Sequence, residues 1–373
     1  MAFTFDSKGN IVPVTGPTPS NAVEREFTLH QAMGGAQAGD RVMLAVTPAD
    51  TSQVTEIENY MGGYTQSGYA QDILSPIVPT ETETFRRRDF SHYNAFAPVE
   101  DRVGRNGAIS EVEVASSLVD GKTEEHALAA FIPYAAERDA VAHYNVRAAH
   151  AKLIRDKLFL NREIRIIGQA VNTAKWNASN YTTITATLQW DGGASKDPLA
   201  DLRTRIDASW GPVTGILMNS QVCGYMLADT KVKAYADFQL GTANNKPGTL
   251  FNVDSVAEIQ VVKLPGLPPI YVTQAKKFVA GVMSTILADD VILFNAPAVL
   301  SGGDTLASFL TFRYRGRSGT GFTVNEYQPV GRGIDGGTMM ECGFKDGDVI
   351  PGTGADSTTC RIGGLIKSVL TGT

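Results

Sequence analysis

Apolar side chains recur at three- and four-residue steps through the middle of this chain: Val141, Tyr144, Ala148, Ala151, Ile154 and Leu158, then, after one longer step, Ile164, Ile167 and Val171. This is the rhythm of an amphipathic helix, and no Pro or Gly interrupts it from residue 134 until Gly168. The spacing predicts one helix over 134–172. At ~1.5 Å per residue it would run on the order of 50 Å and serve as a structural spine.

The pattern on either side is different. Over residues 1–79, Pro13, Pro17, Pro19, Pro48, Pro76 and Pro79 break helix, and short apolar runs hold no helical period, so an extended arm is expected that must pack on something else. A short helix is expected at 53–61 and a compact apolar patch at 69–78. Over 80–133, Val112 and Val114 alternate with Glu111 and Glu113, residues 127–133 form an apolar run, and Asn106-Gly107 and Asp120-Gly121 are turn signals. That reads as a charged hairpin projecting from the body.

Beyond the spine, Asp197 can cap a helix with Pro198 in its first turn and Leu202, Ile206 and Trp210 on one face, stopped by Gly211-Pro212. The following region reads as α+β: strands at 215–219, 257–264, 270–273 and 291–295, a helix at 220–234, a strand pair at 311–315 and 321–327, then short strands and glycine-rich turns through Leu370.

Composition narrows the function classes. With 43% hydrophobic and 19% charged residues the chain should fold. A net charge of −6 argues against a sequence-reading DNA binder, so any nucleic-acid contact needs a local basic face. Cys223, Cys342 and Cys360 have neither disulfide-framework nor zinc spacing and are expected to be reduced and buried. No apolar run long enough to cross a membrane and no signal-peptide pattern at the start point to a soluble protein made in the cytoplasm, with no membrane partner.

Motifs for chemistry are weak. Gly121-Lys122-Thr123 lacks the earlier glycine of a phosphate loop, where Ser116 stands, and reads as a hairpin turn. The glycines of 331–337 do not open a helix after a strand, so turn chemistry accounts for them. His143 and His150 lack the spacing of helical metal ligands, and Asp346-Gly347-Asp348 reads as a surface turn without the other ligands of a calcium loop. No catalytic elbow occurs, and no cofactor or metal is expected. On the spine, Arg138, Arg147, Lys152, Arg155, Lys157, Arg162 and Arg165 outnumber Glu137, Asp139, Asp156 and Glu163, which suits either a solvated face or the screening of phosphates. Arg313, Arg315 and Arg317 alternate along one strand face, suited to an acidic neighbour or to phosphate.

The run AQDILSPIVP at 70–79, the hairpin beginning TFRRRDF at 84–90, the spine and the helix capped by Asp197 resemble, in this order, the HK97-type major capsid family of tailed phages. The resemblance covers residues 65–345 and implies an α+β capsid fold. Its parts would be an N-terminal arm at 1–79, an extended loop at 80–133, a peripheral domain at 134–212 with return strands at 311–345, and an axial domain at 213–310 with C-terminal strands at 346–373. It also implies self-assembly into hexamers and pentamers of an icosahedral shell around double-stranded DNA bound without sequence specificity, in a virion assembled in the host cytoplasm. Scaffold, portal or decoration proteins would be further partners. Arg86, Arg87, Arg88, Arg102, Arg105, Glu111 and Glu113 of the loop would contact neighbouring subunits, and Arg147, Arg155 and Arg162 could face the lumen and its DNA. An encapsulin-like cargo shell and a cytoplasmic enzyme with a diffuse site are the alternatives.

Overall fold

The computed structural model describes residues 3–5, 11–13, 68–91, 98–99, 101–102, 109, 116–138, 145–192, 195–240, 252–256, 259–297, 306–316, 321–329, 336–353 and 358–371. The chain divides into two compact units, Met1–Thr55 and Glu56–Thr373. In the first, β1 (Phe3–Phe5) and β2 (Ile11–Pro13) form an antiparallel pair. The helix expected at 53–61 lies outside the described residues.

The second unit opens with α1 (Gln71–Leu74), β3 (Ile77–Thr80), β4 (Thr84–Phe90), β5 (Ser116–Lys122) and β6 (Glu124–Pro133), followed by α2 (Tyr134–Arg138) and α3 (Val146–Ala170). Then come β7 (Tyr181–Thr183), α4 (Pro198–Ala208), β8 (Gly215–Asn219), α5 (Ser220–Ala228), α6 (Thr230–Leu240), β9 (Asn252–Val256), β10 (Ile259–Lys263) and β11 (Ile270–Thr273). The chain ends with β12 (Lys276–Val279), β13 (Val282–Thr285), β14 (Val291–Phe294), β15 (Leu310–Tyr314), β16 (Phe322–Tyr327), β17 (Gly337–Val349) and β18 (Gly364–Lys367).

One mixed sheet runs in the order β7-β18-β14-β8-β11-β10-β9. Successive side chains on a strand point to opposite faces, and both faces here are apolar. Ile216, Met218, Val291, Leu293 and Ile366 pack on one side with Leu199 and Leu202 of α4, Val222 and Met226 of α5, and Val232 of α6. Leu217, Ile292, Phe294 and Leu365 pack on the other with Ala70, Leu74 and the last turns of α3. A strand buried on both faces reads as a continuous apolar run, as the sequence of β8 does.

A second sheet runs β16-β17-β15-β3, with β6 also paired along β17. The other end of α3 lies on it: the ring of Phe159 meets Phe322 edge-on at 5.8 Å, and Phe322 meets Phe344 at 5.5 Å. Helix α3 therefore spans both cores, as a spine must. It begins at Val146, where Asn145 caps it by accepting from the Ala148 amide at 3.0 Å, and it has 25 residues rather than the full expected span. Val141 and Tyr144 lie outside the described residues.

Four other expectations change. The helix expected over 220–234 breaks at buried Asp229, which accepts from the Lys231 amide at 2.8 Å and so starts α6. The tail holds a 13-residue strand, β17, in place of the expected short strands and turns. Asp120-Gly121 is not a turn: both residues lie in β5 opposite β4, with Gly121 paired to Phe85. Glycine makes room for a ring here, since a Cβ at Gly121 would overlap Phe85 and one at Gly347 would stand 2.8 Å from it. The expected boundary at residue 212 falls inside a core, because Trp190, Leu199 and Leu202 pack with β8, and β17 runs through the expected boundary at 345.

Two glycine substitutions separate backbone demand from helix propensity. Gly363 has φ +91° and a Cβ there would collide with the Leu293 carbonyl oxygen, whereas nothing lies within 4 Å of a Cβ at Gly168 in α3. Gly363→Ala should lower the unfolding free energy by more than ~2 kcal/mol, and Gly168→Ala should raise it by up to ~1 kcal/mol, measured by denaturant titration.

Candidate functional site

The elements expected to assemble are the arm segment and the hairpin, and both are fastened to the body by charge. Along α3 the buried positions after Val146 are Ala151, Ile154, Arg155, Leu158, Phe159, Arg162, Glu163, Ile166, Ile167 and Ala170, one unbroken helical face. The longer step in the apolar pattern after Leu158 is where Arg162 and Glu163 occupy that face.

The Arg162 guanidinium donates to Asp72 at 2.5 Å and to the Ser75 carbonyl at 3.2 Å, both on the arm, and lies 3.5 Å from Asp346 of β17. Arg313 of β15 grips the same Asp346 with two hydrogen bonds, at 2.7 and 2.8 Å. Asp348 accepts from Arg165 at 2.5 Å and from the Thr311 hydroxyl at 2.9 Å. Three guanidiniums thus face three carboxylates, and helix, arm and two strands share one balanced layer. The Arg162 and Asp346 side chains are 0% exposed, so removing either unbalances a buried charge layer that water cannot relieve, although Arg313 still holds Asp346 and Asp72 still holds Arg162. The arm also joins the sheet directly, β3 running parallel to β15 with Val78 opposite Phe312.

Glu163 sits beside this layer and accepts from the Ala70 amide at 3.1 Å. Burial raises its carboxyl to about 7, against the lowering effect of the Ala70 and Gln71 amides and Arg162. Among the described residues, its Oε2 and the buried Oε1 of Gln71 have no hydrogen-bond partner.

The hairpin pairs β4 with β5 from Thr84 opposite Lys122 to Phe90 opposite Ser116. Its base is held by the Phe85 ring, stacked on Phe312 at 4.1 Å, and by Lys345, which donates to Glu83 at 2.7 Å. Arg86 pairs across the ladder with Asp120, while Arg87 is buried against Asp89 on its own strand at 2.7 Å. Arg88 and Arg102 are exposed; Arg105, Glu111 and Glu113 lie outside the described residues.

The expectation for the spine arginines is corrected. Arg155 and Arg162 are 0% exposed, Arg155 beside Asp156 at 3.2 Å, so neither presents a surface to phosphates. Arg147 is half-buried between Glu137 at 2.6 Å and Glu326 at 3.2 Å. Arg313 likewise answers an internal carboxylate, Arg315 reaches Glu81 at 3.0 Å, and Arg317 lies outside the described residues. Asp346 and Asp348 belong to a buried ladder and form no surface turn. His150 holds its own helix, Nδ1 lying 2.8 Å from the Val146 carbonyl, while His143 and residues 331–335 are outside the described set. All three cysteines are free and buried, and burial lifts the Cys223 and Cys360 thiols to about 11 and about 12, which keeps both protonated.

No family model matches the sequence. The chain is 28% identical over 137 residues to the major capsid protein of Pseudomonas phage JBD67, a stretch covering 37% of this chain and 44% of that protein. The matched stretch is thus less than half the length of the curated relative. Its structure is similar to that of a phage-related protein from Bordetella bronchiseptica RB50, with TM-score 0.59 and 13% identity over 85% of this chain and 98% of the other. It also resembles the SrpI encapsulin of Synechococcus elongatus PCC 7942, with TM-score 0.50 and 9% identity over 92% and 96% of the two chains. The fold is the α+β HK97-type capsid fold.

Because the Glu163 carboxyl is raised from 4.5 to about 7 in the folded chain, folding takes up a proton between those values, and stability falls as pH rises through that window. Glu163→Gln should remove on the order of 3 kcal/mol of this decline. Denaturant midpoints from pH 4.5 to 8 test it: the parent should weaken by more than the variant across this window. Arg162→Met should cost ~3 kcal/mol at neutral pH.

Proposed function

We propose that this chain is a major capsid protein that self-assembles into an icosahedral shell around double-stranded DNA. The observation that carries the reading is an HK97-type fold in which the segment at 70–80 enters a core and a sheet of the second unit, while the β4–β5 hairpin pairs only with itself and is held at its base. A two-stranded hairpin with no core of its own, anchored at its base, suits a subunit that finishes its packing on its neighbours. The related sequence is itself that of a phage major capsid protein, which supports the same reading.

Residues 1–79 then act as arm and 80–133 as extended loop, their strands β3 and β6 entering the peripheral sheet, and the two sheets act as peripheral and axial bodies, with 181–208 joining the axial one. Copies form hexamers and pentamers through repeated weak contacts that sum over a closed lattice. The role is structural, needs no cofactor, and places the protein in the virion capsid after assembly in the host cytoplasm, with scaffold, portal or decoration proteins as further partners. Arg88 and Arg102, exposed on the loop, serve intersubunit contacts, as do Arg105, Glu111 and Glu113 further along it. Arg86 and Arg87 instead hold the hairpin together. Non-specific DNA contact on the spine falls to the exposed Lys152 and Lys157.

A protein shell storing cargo is the second reading, favoured by the likeness to an encapsulin. Light scattering and nuclease protection of particles purified from an infected or induced host test both. Large closed particles holding nuclease-resistant DNA are expected; particles filled with protein would favour the cargo shell, and a stable monomer under every assembly condition would overturn both. Arg88→Glu with Arg102→Glu should raise the concentration needed for assembly at least ~10-fold, about 1.4 kcal/mol for the two together, without changing subunit stability.

A further inference from the structure

Between β11 and β14 the chain leaves the seven-stranded sheet as a separate ribbon, β12 paired with β13. Its foot is closed by the Ile286 amide donating to the Ala275 carbonyl at 3.0 Å. Phe278 lies opposite Met283 and Val279 opposite Val282, so the two pairs point to opposite faces of the ribbon. These side chains are 68%, 58%, 56% and 65% exposed, which leaves both faces of the tip apolar and open.

The turn between them is unusual in composition. Ala280 and Gly281 take φ 51° and 86°, the left-handed pair of a two-residue hairpin turn. Asn or Asp would be favoured at the first position, yet Ala280 stands there, so Phe278 to Met283 contains no polar side chain at all. A two-stranded ribbon with no core of its own is marginal in water, and an exposed apolar tip invites aggregation unless something covers it.

We infer that the β12–β13 ribbon is an assembly contact whose tip is covered by a second copy of this chain. The inference rests on the shell reading above and names a contact that it leaves open. Charge favours this occupant: the ribbon carries Lys276 and Lys277 and no acid, while the chain as a whole carries −6, so another copy offers carboxylates to the ribbon foot. Charge also sets the geometry, since ribbon-on-ribbon contact would gather four lysines; the tip seats on a different surface of its neighbour. Such head-to-tail contacts close rings. Size agrees, because four side chains fall well short of the ~800 Å² per partner that holds an isolated dimer, and suit one contact among many in a lattice.

The test uses the full chain with Met283→Cys, a clean probe because the native thiols are buried. Maleimide should label the introduced thiol rapidly in dissociated subunits and at least ~10-fold more slowly in assembled particles, a protection of about 1.4 kcal/mol. Phe278→Ser with Val282→Ser should keep the subunit melting temperature and raise the concentration needed for assembly at least ~10-fold. Equal labelling in particles and subunits would overturn the inference while leaving the shell reading intact. Slow labelling already in dissociated subunits would assign the cover to the same chain, and binding of parent but not double-variant subunits to phosphatidylserine vesicles, with the introduced thiol open in particles, would assign it to lipid; either overturns the inference. If the parent forms only small oligomers the shell reading fails, and labelling in oligomer against monomer still decides the ribbon; a strict monomer overturns both.

Discussion

The spine, the arm segment and two strands of the second sheet are joined at one buried carboxylate. Asp346 receives Arg313 from the neighbouring strand and Arg162 from the spine, and Arg162 in turn reaches Asp72 and Ser75 of the arm. A charge with no exposure to solvent tolerates only a geometry in which its partners are present, so this layer fixes how far the arm, the helix and the long strand can move relative to one another. An apolar layer of equal volume could match its stability but would leave register less specified, since apolar packing is not directional. Ionic burial suits an arm segment that must be held in one place.

Glu163 gives the same junction a second property. It is fully buried and ties α3 to the backbone of Ala70, but its second oxygen and that of Gln71 are both acceptors without donors among the described residues. Near neutrality the carboxyl is divided between its two forms, burial favouring the protonated one while the Ala70 and Gln71 amides favour the ionised one.

Much of the fold is legible in the sequence because local rules and burial agree there. Asp197 and Pro198 start α4, and its Asp197 carboxylate does accept from the Ala200 amide at 3.1 Å; the strands at 215–219 and 270–273 have the bounds that their apolar runs suggest. The failures have physical causes. Local rules assign the glycines at 121 and 347 to turns, whereas they are flat places for the Phe85 ring, a requirement set by a residue distant in sequence from at least one of them. A count of charges makes the spine arginines a solvated or phosphate-facing excess, although Arg155, Arg162 and Glu163 sit at the helical positions that Ala151, Ile154 and Leu158 predict to be buried. The apolar step missing after Leu158 is the available signal: a helical face that continues through charged residues points to partners, here Asp72 and Asp346.

A cryo-EM reconstruction of the assembled protein tests the role most directly. The expected result is a closed icosahedral shell in which each β4–β5 hairpin lies on a neighbouring copy while Arg162, Asp72 and Asp346 stay joined within their own chain. A small open oligomer with the hairpin facing solvent, or an arm detached from Arg162 and bound only to another copy, would contradict it.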